Sequence, residues 1–303
     1  MSTIQEDIGK LKDKAKAVVL AHTYQPGEIQ DIADYVGDSY GLSVEASKAK
    51  AEVILFCGVR FMAETAAILN PKSKVILPVR DAGCPMAEMI TPDELLELKR
   101  QYPGYLVMCY VNSTAEIKAL SDVCCTSSNA VAIANKLPKS KGIIFVPDRH
   151  LGSYVQEQTG RRMVMWDGFC PTHMRIDTNS IEKARREHPK AVMMIHPEAK
   201  KICRDLSDKV LSTGGMLEYA RKSRHKEFII ATETGIIHAL QKENPAKKFH
   251  PLSGLVLCPN MKKTTLEIVK SALEGKAGDV VKVPEEIASK AKGALKKMLD
   301  LSE

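Results

Sequence analysis

The feature that most constrains the fold of this chain is a cysteine–proline pair that occurs three times at nearly equal intervals. Cys84, Cys170 and Cys258 are each followed by proline, and 86 and 88 residues separate the three cysteines along the chain. Other residues repeat at the same offset, as Asp34 does with Asp122. Self-similarity at a fixed period indicates one structural unit used several times. The sequence therefore predicts three related units, whose cysteines meet if the units pack around a common centre.

Short apolar runs alternate with helical patterns inside each unit. Such alternation predicts parallel sheets with helices on both faces. The predicted fold class is α/β, with three pseudo-threefold-related αβα sandwich domains whose small parallel sheets surround a central site. The predicted boundaries are residues 1–88, 89–174 and 175–262 for the three units, and residues 263–303 for a C-terminal helical tail that packs back on a domain.

Some elements near the predicted site are assigned from periodicity alone. After the first strand of each unit, apolar residues recur at the spacing of a helix. This spacing predicts helices over residues 28–36, 115–123 and 199–210. The apolar run that precedes Cys258 predicts a strand over residues 255–257.

The composition is that of an ordinary globular protein, with 44% hydrophobic and 27% charged residues among 303. The chain contains no apolar run near the roughly 20 residues that a membrane span requires. Residues 1–16 are polar and carry no apolar signal core. The sequence therefore predicts a cytoplasmic protein with no membrane partner.

The charge and the cysteine content indicate which classes of ligand to expect. The net charge of +7 mildly favours anionic ligands. The basic residues are spread over predicted helix faces, without an arginine-rich or aromatic-interleaved patch, so no nucleic-acid partner is expected. Eight cysteines in a cytosolic chain favour metal binding or catalysis over a disulfide framework.

The first predicted strand of each unit ends in two polar residues that are two positions apart. These pairs are His22 with Tyr24, Tyr110 with Asn112, and His196 with Glu198. Residues two apart share a face of an extended chain, and ligands bind at the carboxyl ends of parallel strands. A single pair of this kind usually only satisfies a turn, but three pairs at matching positions favour a functional site.

Hydroxyl residues stand where three predicted helices begin, at Ser39, Ser127 and the pair Ser212 and Thr213. Serine and threonine cap helices in most proteins, so capping alone explains them. The same free N–H groups and positive helix ends also bind phosphate or carboxylate. If three helix starts and the histidines converge, the centre suits a substrate with several negative charges.

Three thiolates cannot complete a tetrahedral structural zinc site by themselves. A 4Fe–4S cluster held by three cysteines leaves one iron open, and an open iron acts as a Lewis acid. The remaining cysteines fall outside the repeat, and we interpret them as small buried apolar residues. They are Cys57, Cys109, Cys124, Cys125 and Cys203.

These residues together resemble the quinolinate synthase family, of the NadA type, over nearly the whole chain. The most specific parts are residues 37–39, 110–116, 196–198 and 212–216, together with the three repeated cysteines. The family's usual first signature is His-Asn-Tyr-Gln, whereas residues 22–25 here read His-Thr-Tyr-Gln. The change falls between the two residues that share a face, so it leaves the predicted pair intact.

The resemblance implies a transferase that condenses iminoaspartate with dihydroxyacetone phosphate. The products would be quinolinate, phosphate and water, in the de novo biosynthesis of NAD. It also implies one 4Fe–4S cluster per chain on Cys84, Cys170 and Cys258, whose open iron serves as Lewis acid. A functional link to an aspartate oxidase or an aspartate dehydrogenase, as the source of iminoaspartate, would follow.

The resemblance also implies roles for single residues. Glu198 would be the general base, and Tyr24 would assist enolisation and proton transfer, with Tyr110 and His196 as further catalytic residues. The substrate would be held by His22, Ser39, Tyr110, Asn112, Ser127, His173, His196, Glu198, Ser212 and Thr213.

Three other interpretations remain open at this point. An iron–sulfur hydro-lyase acting on another small hydroxy acid would share the open iron, and product analysis with iminoaspartate separates the two enzymes. An oxygen or iron sensor would need a partner surface or a DNA-binding element, and the sequence shows neither. A purely structural metal protein is disfavoured by the three polar strand exits.

Overall fold

The computed structural model of the chain describes residues 3–302. Three small, mostly parallel sheets flanked by helices confirm the predicted α/β class with three αβα sandwich domains. The strands of each unit follow the same spatial order: the second along the chain, then the first, the third and the fourth. The first strand therefore lies inside each sheet, between two parallel neighbours.

The first unit contributes four parallel strands and four helices. The strands are β1 (Ala17–His22), β2 (Tyr35–Gly37), β3 (Val53–Cys57) and β4 (Lys74–Leu77). The helices are α1 (Thr3–Ala15), α2 (Gly27–Ile32), α3 (Ser39–Lys48) and α4 (Arg60–Leu69).

The second unit repeats this arrangement. Its helices are α5 (Pro92–Gln101), α6 (Ala115–Ala119), α7 (Ala130–Lys136) and α8 (Arg149–Thr159). Its strands are β5 (Leu106–Tyr110), β6 (Val123–Cys125), β7 (Ile143–Val146) and β8 (Met163–Met165).

The third unit repeats it again. Its helices are α9 (Thr178–Glu187), α10 (Lys201–Arg204), α11 (Thr213–Lys222) and α12 (Ile236–Glu243). Its strands are β9 (Val192–Ile195), β10 (Lys209–Val210), β11 (Glu227–Ala231) and β12 (Lys248–Pro251).

The tail adds two helices and a short strand that contact the first two units. Helix α13 (Leu266–Leu273) packs on α1, and strand β13 (Asp279–Val280) pairs antiparallel with β4. Helix α14 (Glu285–Asp300) packs against α4, α6 and β6. The antiparallel strand was not expected from the sequence, because two residues show no periodicity. The unit boundaries at residues 88, 174 and 262 stay a prediction.

The helices predicted over residues 28–36, 115–123 and 199–210 were too long. Helices α2, α6 and α10 end at Ile32, Ala119 and Arg204, and each is followed by a short second strand. The periodicity of apolar residues cannot show where each helix ends and the next strand begins, because each of these strands has only two or three residues.

An aspartate at the start of each second strand explains why the helix stops. In the first unit, the Val19 N–H donates to the Asp34 carboxylate at 2.7 Å, and the Asp34 N–H donates to the Val19 carbonyl at 2.9 Å. Both groups of the aspartate are therefore used to pair with the first strand. The equivalent pairs are Asp122 with Val107 and Asp208 with Met193, whose N–H to carboxylate distances are also 2.7 Å.

The strand predicted over residues 255–257 is also wrong. The fourth strand of the third unit is β12, which ends at Pro251. Leu255 is 71% exposed, and Arg175 donates to the carbonyls of Leu255 and Leu257, at 3.0 and 3.2 Å. The apolar run is therefore a loop that leads to Cys258, held by an arginine rather than by strand pairing.

The third sheet packs on the rest of the molecule through one face only. Met194 and Ile230 belong to the core shared with the first two units, whereas Ile195 and Ile229 belong to a separate apolar cluster. This division follows from the alternation of side chains across a sheet that is covered on both faces. The shared core fixes the third sheet relative to the other two.

None of the helices within residues 3–302 combines the length and the apolar character needed to cross a membrane.

Candidate active site

The first strand of each sheet ends at one shared cavity. The lining residues at the exits of β1, β5 and β9 are His22, Tyr24, Tyr110, Asn112, His196 and Glu198. The carboxyl ends of parallel strands are where ligands bind in open α/β sheets. Each of the three units therefore presents one polar pair to the same space.

The cavity is also lined by all the other predicted site residues except Ser212. These residues are Ser39, Ser127, His173, Thr213, Cys84, Cys170 and Cys258. Ser212 lies just outside as the N-cap of α11, where its hydroxyl accepts a hydrogen bond from the Gly215 N–H at 3.1 Å. Its predicted contact with substrate stays a prediction.

Residues from the three units meet beside this outer position. The Ser128 hydroxyl donates to Oδ2 of Asp38 at 2.6 Å, and its oxygen lies 3.1 Å from the Ser212 hydroxyl. A Cβ at Gly214 would come within 2.6 Å of the same Asp38 oxygen, so glycine is required there for the close approach. The starts of α3 and α11 are thereby held together at the edge of the cavity.

A buried carboxylate, Glu198, lies at the centre of the site. One of its oxygens accepts a hydrogen bond from the Tyr110 hydroxyl at 2.6 Å, and the other lies 2.6 Å from Nδ1 of His173. Burial favours the neutral acid, but His173 and His196, with the hydrogen bonds from His173 and Tyr110, hold the pKa of Glu198 below its usual value. Glu198 is therefore ionised at neutral pH and able to accept a proton.

Burial keeps several other groups of the site neutral. It lowers the pKa of His22 to about 4 and the pKa of His196 to about 3, although the charge of Glu198 acts in the opposite direction on both. It also raises the pKa of Tyr24 and of Tyr110 well above the usual value of tyrosine. The cavity thus combines one carboxylate with imidazoles and phenols that both donate and accept hydrogen bonds.

Sequence reasoning missed Thr232 and Glu233, which follow β11 at the same edge of the third sheet. The Thr232 hydroxyl lies 2.8 Å from the Tyr24 hydroxyl and 2.8 Å from Nε2 of His173. Glu233 lines the cavity, is fully buried and pairs with Lys262 at 2.8 Å. Had the exit of the third strand been considered as well as that of the first, Glu233 would have been a candidate, whereas a threonine after a strand is ordinary.

Each cysteine–proline pair stands before a tight 3-10 helical turn. The three turns span Pro85–Glu88, His173–Arg175 and Pro259–Lys262. After Cys84 and Cys258 the proline itself is the first residue of the turn, where its missing N–H costs nothing. At Cys84 and Cys258 the repeated pair therefore starts a turn directly after the cysteine, whereas the turn after Cys170 begins three residues later.

Backbone hydrogen bonds close two of these turns onto their cysteines. The Ala87 N–H donates to the Cys84 carbonyl at 2.9 Å, and the Met261 N–H donates to the Cys258 carbonyl at 3.2 Å. Burial raises the pKa of the Cys84 thiol to about 12, and the nearby Cys258 adds to this shift. Three soft sulfur donors that line one cavity fit an iron–sulfur cluster as its protein ligands.

The remaining cysteines of the described residues lie elsewhere in the fold. Cys57, Cys109, Cys124, Cys125 and Cys203 are all buried, whereas the three repeated cysteines are only half-buried at the cavity wall. Free cysteine usually behaves as a small apolar residue when it is buried in this way.

Two groups of potential metal ligands occur in the described residues. The ligand atoms of Cys170, His173 and Glu198 lie within 4.8 Å of one another at the cavity. The second group is His188, Glu227 and His250, in which the two imidazole rings stack with their centroids 3.6 Å apart. An imidazole binds a metal ion in the plane of its ring, so one ion cannot serve both rings of a stacked pair. This second group therefore gives no reason to move the predicted metal site away from the three cysteines.

Comparisons with known proteins agree with the resemblance seen in the sequence. The family model described as quinolinate synthetase A protein matches residues 6–300. The quinolinate synthase of Dehalococcoides mccartyi strain CBDB1 is 51% identical over 296 residues, which are 98% of this chain and 97% of that protein. Those of Geobacter metallireducens and Caldicellulosiruptor bescii are 50% identical over 297 residues and 47% identical over 302. These alignments cover 98% and 99% of this chain, and 97% and 99% of the two relatives.

Proposed function

The chain belongs to the quinolinate synthase family, and from this we propose that it condenses iminoaspartate with dihydroxyacetone phosphate to quinolinate, phosphate and water. Quinolinate would then supply the pyridine ring of NAD. The observation that carries the proposal is the carboxyl group of Glu198, buried between Tyr110 and His173 in a cavity whose wall holds three cysteines. Such a site offers acid–base chemistry beside a place for a metal cofactor.

Cys84, Cys170 and Cys258 would hold the cofactor of this reaction. A 4Fe–4S cluster bound there supplies one iron without a protein ligand, which acts as a Lewis acid.

Glu198 is the general base in this proposal. Its carboxylate is ionised and buried, so a proton that it accepts from substrate is not lost to bulk water. A placed general base of this kind contributes on the order of 10²- to 10⁴-fold to the rate. Tyr110 donates to the same carboxylate and would keep it oriented, while Tyr24 and His196 lie on the same wall to serve the later proton transfers.

The remaining polar residues of the cavity would bind the charged ends of the substrates. Oδ1 of Asn112 is buried without a hydrogen-bond partner in the structure, so it is free to accept from a substrate hydroxyl or imine N–H. Ser39 and Thr213 begin α3 and α11, whose N-termini favour carboxylate or phosphate. His22, Ser127 and His173 also line the cavity and would offer further hydrogen-bond partners to the substrates.

Product analysis tests this proposal. Anaerobically purified protein with its iron is incubated with freshly generated iminoaspartate and isotope-labelled dihydroxyacetone phosphate, and quinolinate is measured by mass spectrometry. We expect label in the product. A fully iron-loaded protein that forms no quinolinate would refute the proposal, and dehydration of another hydroxy acid under the same conditions would favour a hydro-lyase.

The source of iminoaspartate forms the second part of the proposal. Iminoaspartate hydrolyses in water, so an enzyme that oxidises aspartate must supply it close to where it is used. We expect an aspartate oxidase or dehydrogenase to support product formation when it is added with aspartate in place of iminoaspartate.

A further inference from the structure

A continuous chain of buried polar contacts joins two tyrosines across the cavity wall. It runs from Tyr110 to Glu198 through a hydrogen bond of 2.6 Å and on to Nδ1 of His173, which lies 2.6 Å from the carboxylate and 3.2 Å from Sγ of Cys170. From Nε2 of His173 it continues to the Thr232 hydroxyl and then to the Tyr24 hydroxyl, with both distances 2.8 Å. The chain therefore links Glu198, the proposed base, to a phenol contributed by a different sheet.

Thr232 is the one member of this chain that does not line the cavity. It is 1% exposed and directly follows β11, so its hydroxyl is held between its two neighbours by the sheet. A hydroxyl has a single proton to donate. Thr232 can donate to His173 only while it accepts from Tyr24, or donate to Tyr24 only while it accepts from His173.

We infer that Thr232 is a positioning residue that couples the hydrogen-bond direction at Tyr24 to the His173–Glu198 pair. This inference rests on the proposed function and deepens it. When Thr232 donates to His173, the proton of Tyr24 is committed to Thr232 and Tyr24 meets the substrate as an acceptor. When the direction is reversed, that proton is free for Thr213 or for the substrate, and the phenol becomes a donor.

The neighbouring residue supports a positioning role for this strand exit. Oε1 of Glu233 pairs with Lys262 at 2.8 Å and accepts the Cys258 N–H at 3.2 Å. Lys262 in turn donates to the backbone carbonyl of Tyr24. At the exit of β11, Glu233 therefore positions the main chain of Tyr24 through Lys262, and Thr232 positions the hydroxyl of Tyr24.

The test replaces the hydroxyl without changing the volume of the side chain. Thr232→Val removes the link, and Thr232→Ser keeps it. We expect Thr232→Val to lower kcat on the order of tenfold, below the 10²- to 10⁴-fold typical of losing the acid–base group itself. KM and iron content should stay within about twofold of wild type, and Thr232→Ser should restore most of the rate.

Two further readouts separate coupling from a general loss of structure. In the double variant Tyr24→Phe/Thr232→Val, the rate should fall no further than in Tyr24→Phe alone, because Thr232 acts through Tyr24. The second readout is kcat of Thr65→Val, which should stay near the wild-type value. Thr65→Val is the matched control, since Thr65 is a buried threonine whose hydroxyl donates only to the Phe61 carbonyl of its own helix.

The outcomes distinguish this inference from the proposed function. A wild-type kcat in Thr232→Val, or additive losses in the double variant, would overturn the inference while quinolinate formation stands. The same holds if Thr65→Val lowers kcat equally. Absence of quinolinate with the wild-type protein would overturn the proposed function itself.

Discussion

The three units agree at the start of their second strands and differ at the exit of their first strands. At the start of the second strand, each unit has an aspartate that binds the backbone of the first strand at 2.7 Å. At the exit of the first strand, the units carry a histidine with a tyrosine, a tyrosine with an asparagine, and a histidine with a glutamate. A folding device has been repeated, whereas the residues around the cavity have diverged.

The difference follows from what each region must do. The aspartate completes a backbone pairing whose geometry is the same in every parallel sheet, so one residue type serves three times. The exits surround a single cavity, and two unlike substrates with several functional groups would require different partners on its three sides. The cysteines belong with the repeated set, because the cluster proposed for them would present equivalent iron sites to its ligands.

The largest effect is expected at the cysteines, where the repeat and the cavity coincide. Cys170→Ala should lose the cluster and all measurable activity, because two sulfurs remain where three are proposed as ligands. Cys203→Ala in the third unit should keep its iron, since Cys203 is buried away from the cavity. Iron and acid-labile sulfide per chain, measured on anaerobic protein, decide the matter. Full iron in Cys170→Ala would remove it from the ligand set.

The next largest effect is expected at the exit of β9. Glu198→Gln removes the base but keeps the shape, so kcat should fall on the order of 10²- to 10⁴-fold with normal iron content. Steady-state kinetics give kcat, and an iron assay on the same preparation gives the iron content per chain. A variant that turns over at near the wild-type rate would exclude Glu198 as the base and would leave Tyr24 and His196 as candidates.

The comparison also shows how much of the fold could be predicted. Alternating apolar runs and helical patterns were enough for the α/β class, because each complete strand and helix spans several residues. The short strands β2, β6 and β10 were not predicted, since their pairing depends on one aspartate that contacts a residue 15 positions earlier. The repeat of Asp34 at Asp122 and Asp208 was visible in the sequence, but its structural role was not.

The site was predictable where one local rule sufficed. Polar residues after the first strand were expected at the cavity, and His22, Tyr110 and Glu198 line it. Thr232 was not predicted, because a threonine after a strand is ordinary and its partner Tyr24 lies 208 residues away. Only the packing of the third sheet against the first brings their hydroxyls within 2.8 Å.

A smaller effect is expected from the repeated aspartates, and it should fall on stability rather than on activity. Asp208→Ala leaves the Met193 N–H without its acceptor, which should lower the free energy of unfolding by about 1–3 kcal/mol. Asp205→Ala is the matched control, since Asp205 forms an exposed pair with Lys201 worth about 0–1 kcal/mol. Anaerobic urea unfolding gives both values, and kcat of Asp208→Ala should remain near wild type. Equal losses in the two variants would mean that the repeated aspartate is only a surface charge.

The smallest expected effect is a difference in how the stability depends on pH, between His22 at the cavity and Asp208 at the start of a second strand. Burial lowers the pKa of His22 to about 4 in the folded chain, so as the pH falls below about 6.5 the unfolded chain binds this proton first. The free energy of unfolding must therefore decrease as the pH is lowered through that window. His22 alone should account for a decrease of about 1 kcal/mol between pH 7.5 and pH 5.5. His22→Asn should lose this part of the pH dependence. Asp208→Ala should lower stability equally at both pH values, because the backbone N–H of Met193 that loses its acceptor does not titrate. If His22→Asn keeps the full wild-type pH dependence, His22 is not the group whose protonation lowers the stability between pH 7.5 and 5.5. The two regions would then differ only in their effects on activity.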